Sequence, residues 1–152
     1  MDSYSRYSKY LVRSVSHIFK NFLEDPEVEE IYVSQAVDTD HKVAVELTGT
    51  IAGEIIITIP ERTLNQITRK FVASKDSRAL KKSYGDVAGE LANLITGTFA
   101  NHLQYNSHNV RLSAPEFNDD PITIKALYEN INLSFSSQYG GFDIDFYYRD
   151  KR

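Results

Sequence analysis

"KVAVELTGTIAGEIIITIPERTLNQI", Lys42–Ile67, carries both periods of regular structure in one short stretch. Val43, Val45 and Leu47 alternate with polar neighbours, so this half reads as a half-buried strand. "TIAG" turns the chain, and "EIIITI" is a β-branched run suited to a well-buried strand. Lys42–Gly49 and Ile51–Ile59 are therefore expected to pair as a hairpin. Pro60 follows at once, where the first turn of a helix tolerates a missing N–H. "PERTLNQITRKFVA" then spaces Leu64, Ile67 and Phe71 along one helical face.

The flanks extend this pattern. Tyr4, Tyr7, Leu11, Val15, Ile18, Phe19 and Phe22 recur at three and four residues, which predicts an amphipathic helix from Ser3 to Leu23. Asp25-Pro26 stops it, because the residue before proline avoids the helical region. "EVEEIYVSQ" (27–35) reads as a strand and "DTDH" (38–41) as a turn. "SKDSRALKKSYG" (74–85) reads as a basic, polar connector with some helical potential. "GDVAGELANLITGTFANHL" (85–103) follows as a helix, and "NSHNVRLSAPEFNDDP" (106–121) as mostly loop with room for a short strand. "ITIKALYENINLSFSS" (122–137) and "FDIDFYYRD" (142–150) close the chain as two strands joined across Gly140-Gly141. There is no internal repeat, low-complexity tract or linker, so 1–152 is expected to be a single domain. The fold class is α+β, a mainly antiparallel β-sheet covered by helices.

Composition narrows the function. The chain has 152 residues, 41% hydrophobic and 25% charged, ordinary values for a soluble globular protein. Net charge is −4 and the pI about 5.5, which argues against nucleic acid, whose binding rests on Lys and Arg neutralising phosphates. No window approaches the roughly 18 apolar residues of a membrane span. "MDSYSRYSKYLVRSVSH" is too polar for a signal peptide, so a cytoplasmic protein is expected. Cysteine is absent, which removes disulfides, zinc–thiolate sites and cysteine nucleophiles.

The helix at 85–103 breaks the usual rules. Interior glycines cost roughly 1 kcal/mol each against alanine, and the like-charged pair Asp86 and Glu90 costs a few tenths more. At about 100° per residue, Asp86, Glu90, Asn93, Gly97 and Asn101 fall on one narrow stripe, with Gly89 and Ala100 at its margin. Apolar and small residues fill the rest of the circumference. Glycine leaves a floor that another backbone can approach, and from it Glu90 and Asn93 project together. A carboxylate accepts from a cation, and a carboxamide both donates and accepts, so it can orient a water. Such a pair suits a reaction that needs positioning rather than proton abstraction, and phosphoryl transfer to water is one.

Glu90-x-x-Asn93, with Asp86 ahead and Pro115 downstream, resembles the signature of the CheC/CheX/FliY phosphatases, which dephosphorylate the response regulator CheY in bacterial chemotaxis. "VAVELTGTIAGEIIITIPERTLNQI" and "YLVRSVSHIFKNFL" are similar to further elements of that family, so the resemblance covers most of the chain. A single Glu-x-x-Asn element, where CheC-like members carry two, is the CheX pattern. By resemblance, Glu90 pairs with the receiver's active-site lysine, and Asn93 holds the attacking water in line with phosphorus. Asp86, Gly89, Gly97 and Asn101 are then candidates for partner contact. The resemblance implies no cofactor of its own, Mg²⁺ on the receiver, a phosphorylated CheY-type receiver as partner, and a homodimer. The alternative function is a non-catalytic CheC-like module that binds a receiver or flagellar switch component.

Blander roles compete at several of these positions. Ser83-x-x-Asp86 resembles a capping box, which would make Asp86 a structural residue. Gly89 and Gly97 serve either partner access or internal packing, and Asn101 is a solvated continuation of the stripe. Pro115 shapes the edge of the strip. Lys75, Arg78, Lys81 and Lys82 form a solvated connector or steer an acidic partner. His17, His41, His102 and His108 lack ligand spacing, and Asp38-x-Asp40 and Asp143-x-Asp145 fit turn chemistry and an exposed strand face.

Overall fold

A computed structural model describes residues 2–34, 36, 40–73, 76–118 and 128–150. Asp2 caps the first helix, α1 (Ser3–Phe22), by accepting from the Ser5 N–H at 2.8 Å. Tyr7, Leu11, Val15, Ile18 and Phe19 are buried along one face, as their spacing predicts, whereas Tyr4 and Phe22 at the two ends stay half-exposed. Beyond the helix, Asp25 is fully buried and accepts the backbone N–H groups of Glu27 and Gln138, which ties the helix exit to the far hairpin.

The hairpin comprises β2 (His41–Gly49) and β3 (Ile51–Ile59), with Val43 opposite Ile57, Val45 opposite Ile55 and Leu47 opposite Gly53. Gly49 turns it at φ +121°, and a Cβ there would lie 2.0 Å from the Asn109 carbonyl oxygen, so only glycine fits. α2 (Glu61–Phe71) leaves β3 directly after Pro60 and buries Leu64 and Ile67. Phe71, expected on the same buried face, is 52% exposed. The remaining strands are β1 (Glu29–Ile31), β4 (Val110–Leu112), β5 (Glu116–Phe117), β6 (Glu129–Ser137) and β7 (Gly140–Asp150). Every pairing is antiparallel, in the order β1-β6-β7-β3-β2-β4, with β5 also on β2. The α+β expectation holds.

Alternation along β3 and β7 sends Ile55, Ile57, Ile144, Phe146 and Tyr148 into one core shared with all three helices. Asp143, expected on an exposed strand face, is buried and accepts from the Ser34 hydroxyl. Three further local expectations need correction. The strand expected over 27–35 contracts to Glu29–Ile31, and Tyr32 and Val33 stand exposed beyond it. The strand expected over 122–137 runs from Glu129; residues 119–127 lie outside the described residues, as do Asp38, Thr39 and Lys75. The third concerns 74–85. From Ser77 this stretch belongs to α3 (Ser77–Tyr105), which Asp76 caps by accepting from the Ala79 N–H at 3.4 Å. Leu80 and Tyr84 already bury the face that Val87, Ala88 and Leu91 continue, so Gly85 is interior. The capping box is thereby overturned: Ser83 Oγ donates to the Ala79 carbonyl at 3.1 Å, and Asp86 is a mid-helix residue.

Candidate functional site

α3 is buried on most sides, with Ile95, Phe99 and Leu103 fully enclosed and Val87 and Leu91 nearly so. What remains outside is the stripe. Asp86, Glu90, Asn93 and Asn101 are exposed, and Gly89 and Gly97 are half-exposed. Ala100, expected at the margin, is buried instead, at 5% exposure. Glu90 and Asn93 are separated by one helical turn, a spacing that puts Cβ atoms about 5–6 Å apart. Among the described residues neither side chain makes a hydrogen bond or ion pair, so both polar groups face solvent.

The glycines divide between the two roles left open for them. A Cβ on Gly97 would meet nothing within 4 Å, so that position is an open floor. A Cβ on Gly89 would touch the Pro115 ring at 3.5 Å, and one on Gly85 would press the Phe117 ring at 3.3 Å. Residues 115–117 therefore form a strap along one border of the stripe. Its anchor is polar. Phe117 stacks on His41 at 5.6 Å and 15°, and Asn118 Nδ2 donates to His41 Nδ1 at 3.1 Å. His41 Nε2 also contacts Glu61, whose other oxygen accepts from the Tyr84 hydroxyl at 3.2 Å. The hydrogen bond from His41 is the main reason that the Glu61 carboxyl sits below its usual pKa, while burial pushes the Tyr84 phenol up. Pro115 thus has a structural role at the strip's edge, and β2, α2 and α3 all hold it there.

The opposite border is a cleft that residue spacing did not announce. Val87, Leu91 and Leu94 of α3 form its floor, and Ile18, Phe22, Leu23 and Phe71 from the ends of α1 and α2 form its wall. It encloses about 180 Å³, its surface is almost wholly apolar, and Asp86 and Glu90 stand on its rim. Lys70 pairs with Glu24 at 3.3 Å across the same two helix ends. The signal that could have found the cleft is positional. Phe22 and Phe71 each end an apolar row where the helix stops, so the row overhangs the core.

Among the described residues no group of three or more His, Asp or Glu side chains could hold a metal ion, and no helix is long and apolar enough to cross a membrane. The stripe offers a carboxylate for a cation and a carboxamide for a water.

The family model described as "Chemotaxis phosphatase CheX" matches residues 42–129, more than half of the chain, and spans the hairpin, α2, α3 and the strap. Among curated proteins no sequence matches. Solved structures match closely in fold. The chain superposes on the chemotaxis protein CheX from Vibrio vulnificus with a TM-score of 0.81 at 18% identity, covering 98% of this chain and 100% of that one. A CheC-like superfamily protein from Shewanella sp. PV-4 gives 0.76 at 20%, covering 98% and 99%. CheX in the CheX–CheY–BeF₃–Mg²⁺ complex from Borrelia burgdorferi gives 0.74 at 17%, covering 94% and 97%.

Proposed function

The chain belongs to the CheX family of chemotaxis phosphatases, and from that membership we propose that it hydrolyses the aspartyl phosphate of a receiver domain, with a CheY-type receiver as substrate. The observation that carries the reading is the pairing of Glu90 and Asn93 on one exposed face of α3, both facing solvent beside the open floor at Gly97. Glu90 receives the receiver's active-site lysine and so sets α3 over the phosphoryl group. Asn93 then holds a water: its carbonyl oxygen accepts one O–H, which fixes where the water's lone pair points. The water oxygen bonds to phosphorus as the phosphorus–carboxylate bond breaks, and the aspartate leaves with the electron pair. The water proton passes to phosphate or solvent. Positioning of this kind lowers a barrier without a strong base.

Mg²⁺ belongs to the receiver in this reading, and the Borrelia burgdorferi complex, which contains CheY, BeF₃ and Mg²⁺ alongside CheX, supports that division of labour. A homodimer and a cytoplasmic setting are further expectations from family membership.

Loss of ³²P from a phosphorylated CheY, timed with and without the protein, tests the proposal. The wild-type chain accelerates the loss, and Asn93→Ala cuts the acceleration by about 10²-fold while still binding the receiver. A chain that holds the phosphorylated receiver yet leaves its phosphate lifetime unchanged is a binding module, and the enzymatic reading fails.

A further inference from the structure

The cleft beside the stripe has the build of a docking pocket. Phe22 and Phe71 are 49% and 52% exposed, although each follows buried apolar residues of its own helix, Ile18 and Phe19 in α1 and Leu64 and Ile67 in α2. A cavity of about 150 Å³ lined by aliphatic and aromatic groups holds a benzene-sized ring. At about 180 Å³, this cleft has room for one large apolar side chain. Among the described residues, the only charged ones that line it are two carboxylates of α3, Asp86 and Glu90, while the nearest helix-end cation in sequence, Lys70, is engaged by Glu24. Neither rim carboxylate has a hydrogen bond or ion-pair partner among the described residues. The complementary occupant is therefore an apolar side chain flanked by a cation. Glu90 lines the cleft and stands on the stripe, so whatever docks on the stripe reaches the cleft without moving.

We propose that the cleft takes one apolar side chain of the docked receiver domain, carried beside the cation that Glu90 receives, and so selects which receivers the protein accepts. The proposal rests on the phosphatase reading and deepens it. A buried apolar anchor next to a charge pair is the usual core of a specific interface. Glu90 and Asn93 would serve any receiver with the common active-site groups, whereas the apolar anchor is where receivers can differ.

The experiment reads binding apart from catalysis. A CheY receiver charged with beryllium fluoride and Mg²⁺ is titrated against wild type, Phe71→Asp and Phe22→Asp. Both substitutions fall at half-exposed positions, and thermal melting checks that the fold survives. The expected result is a dissociation constant raised about tenfold or more by either change, the scale of losing one anchoring contact. The chain has no cysteine, so Phe71→Cys also gives a single labelling site for an environment-sensitive fluorophore. Its emission shifts to the blue when the charged receiver is added. Unchanged affinity for both Asp variants overturns the proposal, as does a label that ignores the receiver or shifts when the chain alone is concentrated. A wild type that binds normally but does not shorten the phosphate lifetime defeats the phosphatase reading and leaves the cleft in place. A wild type that binds no charged receiver defeats both.

Discussion

At the scale of single residues, the proposed mechanism gives Glu90 and Asn93 separable tasks, which substitution tests. Asn93→Ala removes the group that orients the water but leaves the cation pair, so the rate at saturating receiver falls by about 10²-fold, the scale of misplacing a reacting group by roughly 1 Å, while affinity changes little. Glu90→Ala loses the docking charge, so both affinity and rate fall. Initial rates measured against receiver concentration separate the two. This pair was legible in the sequence because the helical period alone brings the residues together and polarity alone keeps them outside. Ala100 was not legible, since a small residue at a stripe's margin is covered or bare according to its tertiary neighbours. His102 offers a different test. It stacks on Tyr10 at 5.3 Å and 10°, and burial, with Arg13 and His17 adding to it, lowers its pKa from 6.5. The folded state therefore binds fewer protons than the unfolded one between the depressed value and 6.5. Stability is unaffected by this group above 6.5 and falls as the pH drops through that value towards the folded pKa. His102→Phe keeps a ring against Tyr10 and removes the titration, so the urea midpoint of the variant declines less on acidification than that of wild type.

At the scale of elements, α3 explains why glycines survive inside a long helix. Gly97→Ala meets nothing within 4 Å and gains the helical preference of alanine, a stabilisation of up to about 1 kcal/mol in thermal melts. Gly85→Ala gains less or loses, because its Cβ presses Phe117 at 3.3 Å and the strap's His41 anchor resists displacement. A larger residue at Gly97, such as methionine, keeps the fold but fills the floor, so receiver affinity drops. If Gly97→Met binds and turns over like wild type, the floor has no part in docking. The beginning of this helix was misread for a physical reason. Ser83-x-x-Asp86 has the residue types of a capping box, but Asp76 caps the helix first, and a buried row from Leu80 to Leu91 favours continuing through Gly85. Packing of that row outweighs the roughly 1 kcal/mol that one interior glycine costs. Of the strap, Pro115 at the stripe's edge was anticipated from the sequence, but the seat of Phe117 against Gly85 was hidden, because it depends on a pairing of β5 with β2 that no local pattern encodes.

At the scale of the whole molecule, the hairpin was legible because β2 and β3 alternate and neighbour one another in sequence, whereas closure of the sheet was not. β7 begins at Gly140, 81 residues after β3 ends at Ile59, and returns to pair with it, and the fit is set by Gly53, whose Cβ would lie 2.1 Å from the Tyr147 carbonyl oxygen. The register there brings together groups that the sequence keeps far apart. The Tyr7 hydroxyl of α1 donates to Asp150 Oδ2 at 3.0 Å and meets His108 Nε2 at 3.2 Å. His108 Nδ1 in turn reaches Thr50 Oγ1 at 3.1 Å, in the turn between β2 and β3. One buried hydroxyl thus joins the first helix, the last strand, the exit of α3 and the central hairpin. Tyr7→Phe keeps the ring, which packs edge-on against Tyr148 at 5.1 Å, and removes only the polar junction. Taking one partner from a buried polar group costs about 1–3 kcal/mol, so the variant unfolds at lower urea with an unchanged slope. Glu90 and Asn93 lie on the exposed face of α3, which this junction does not touch, so receiver dephosphorylation below the melting range stays at the wild-type rate. Equal loss of stability and of turnover in Tyr7→Phe under those conditions would show that the junction reaches the site.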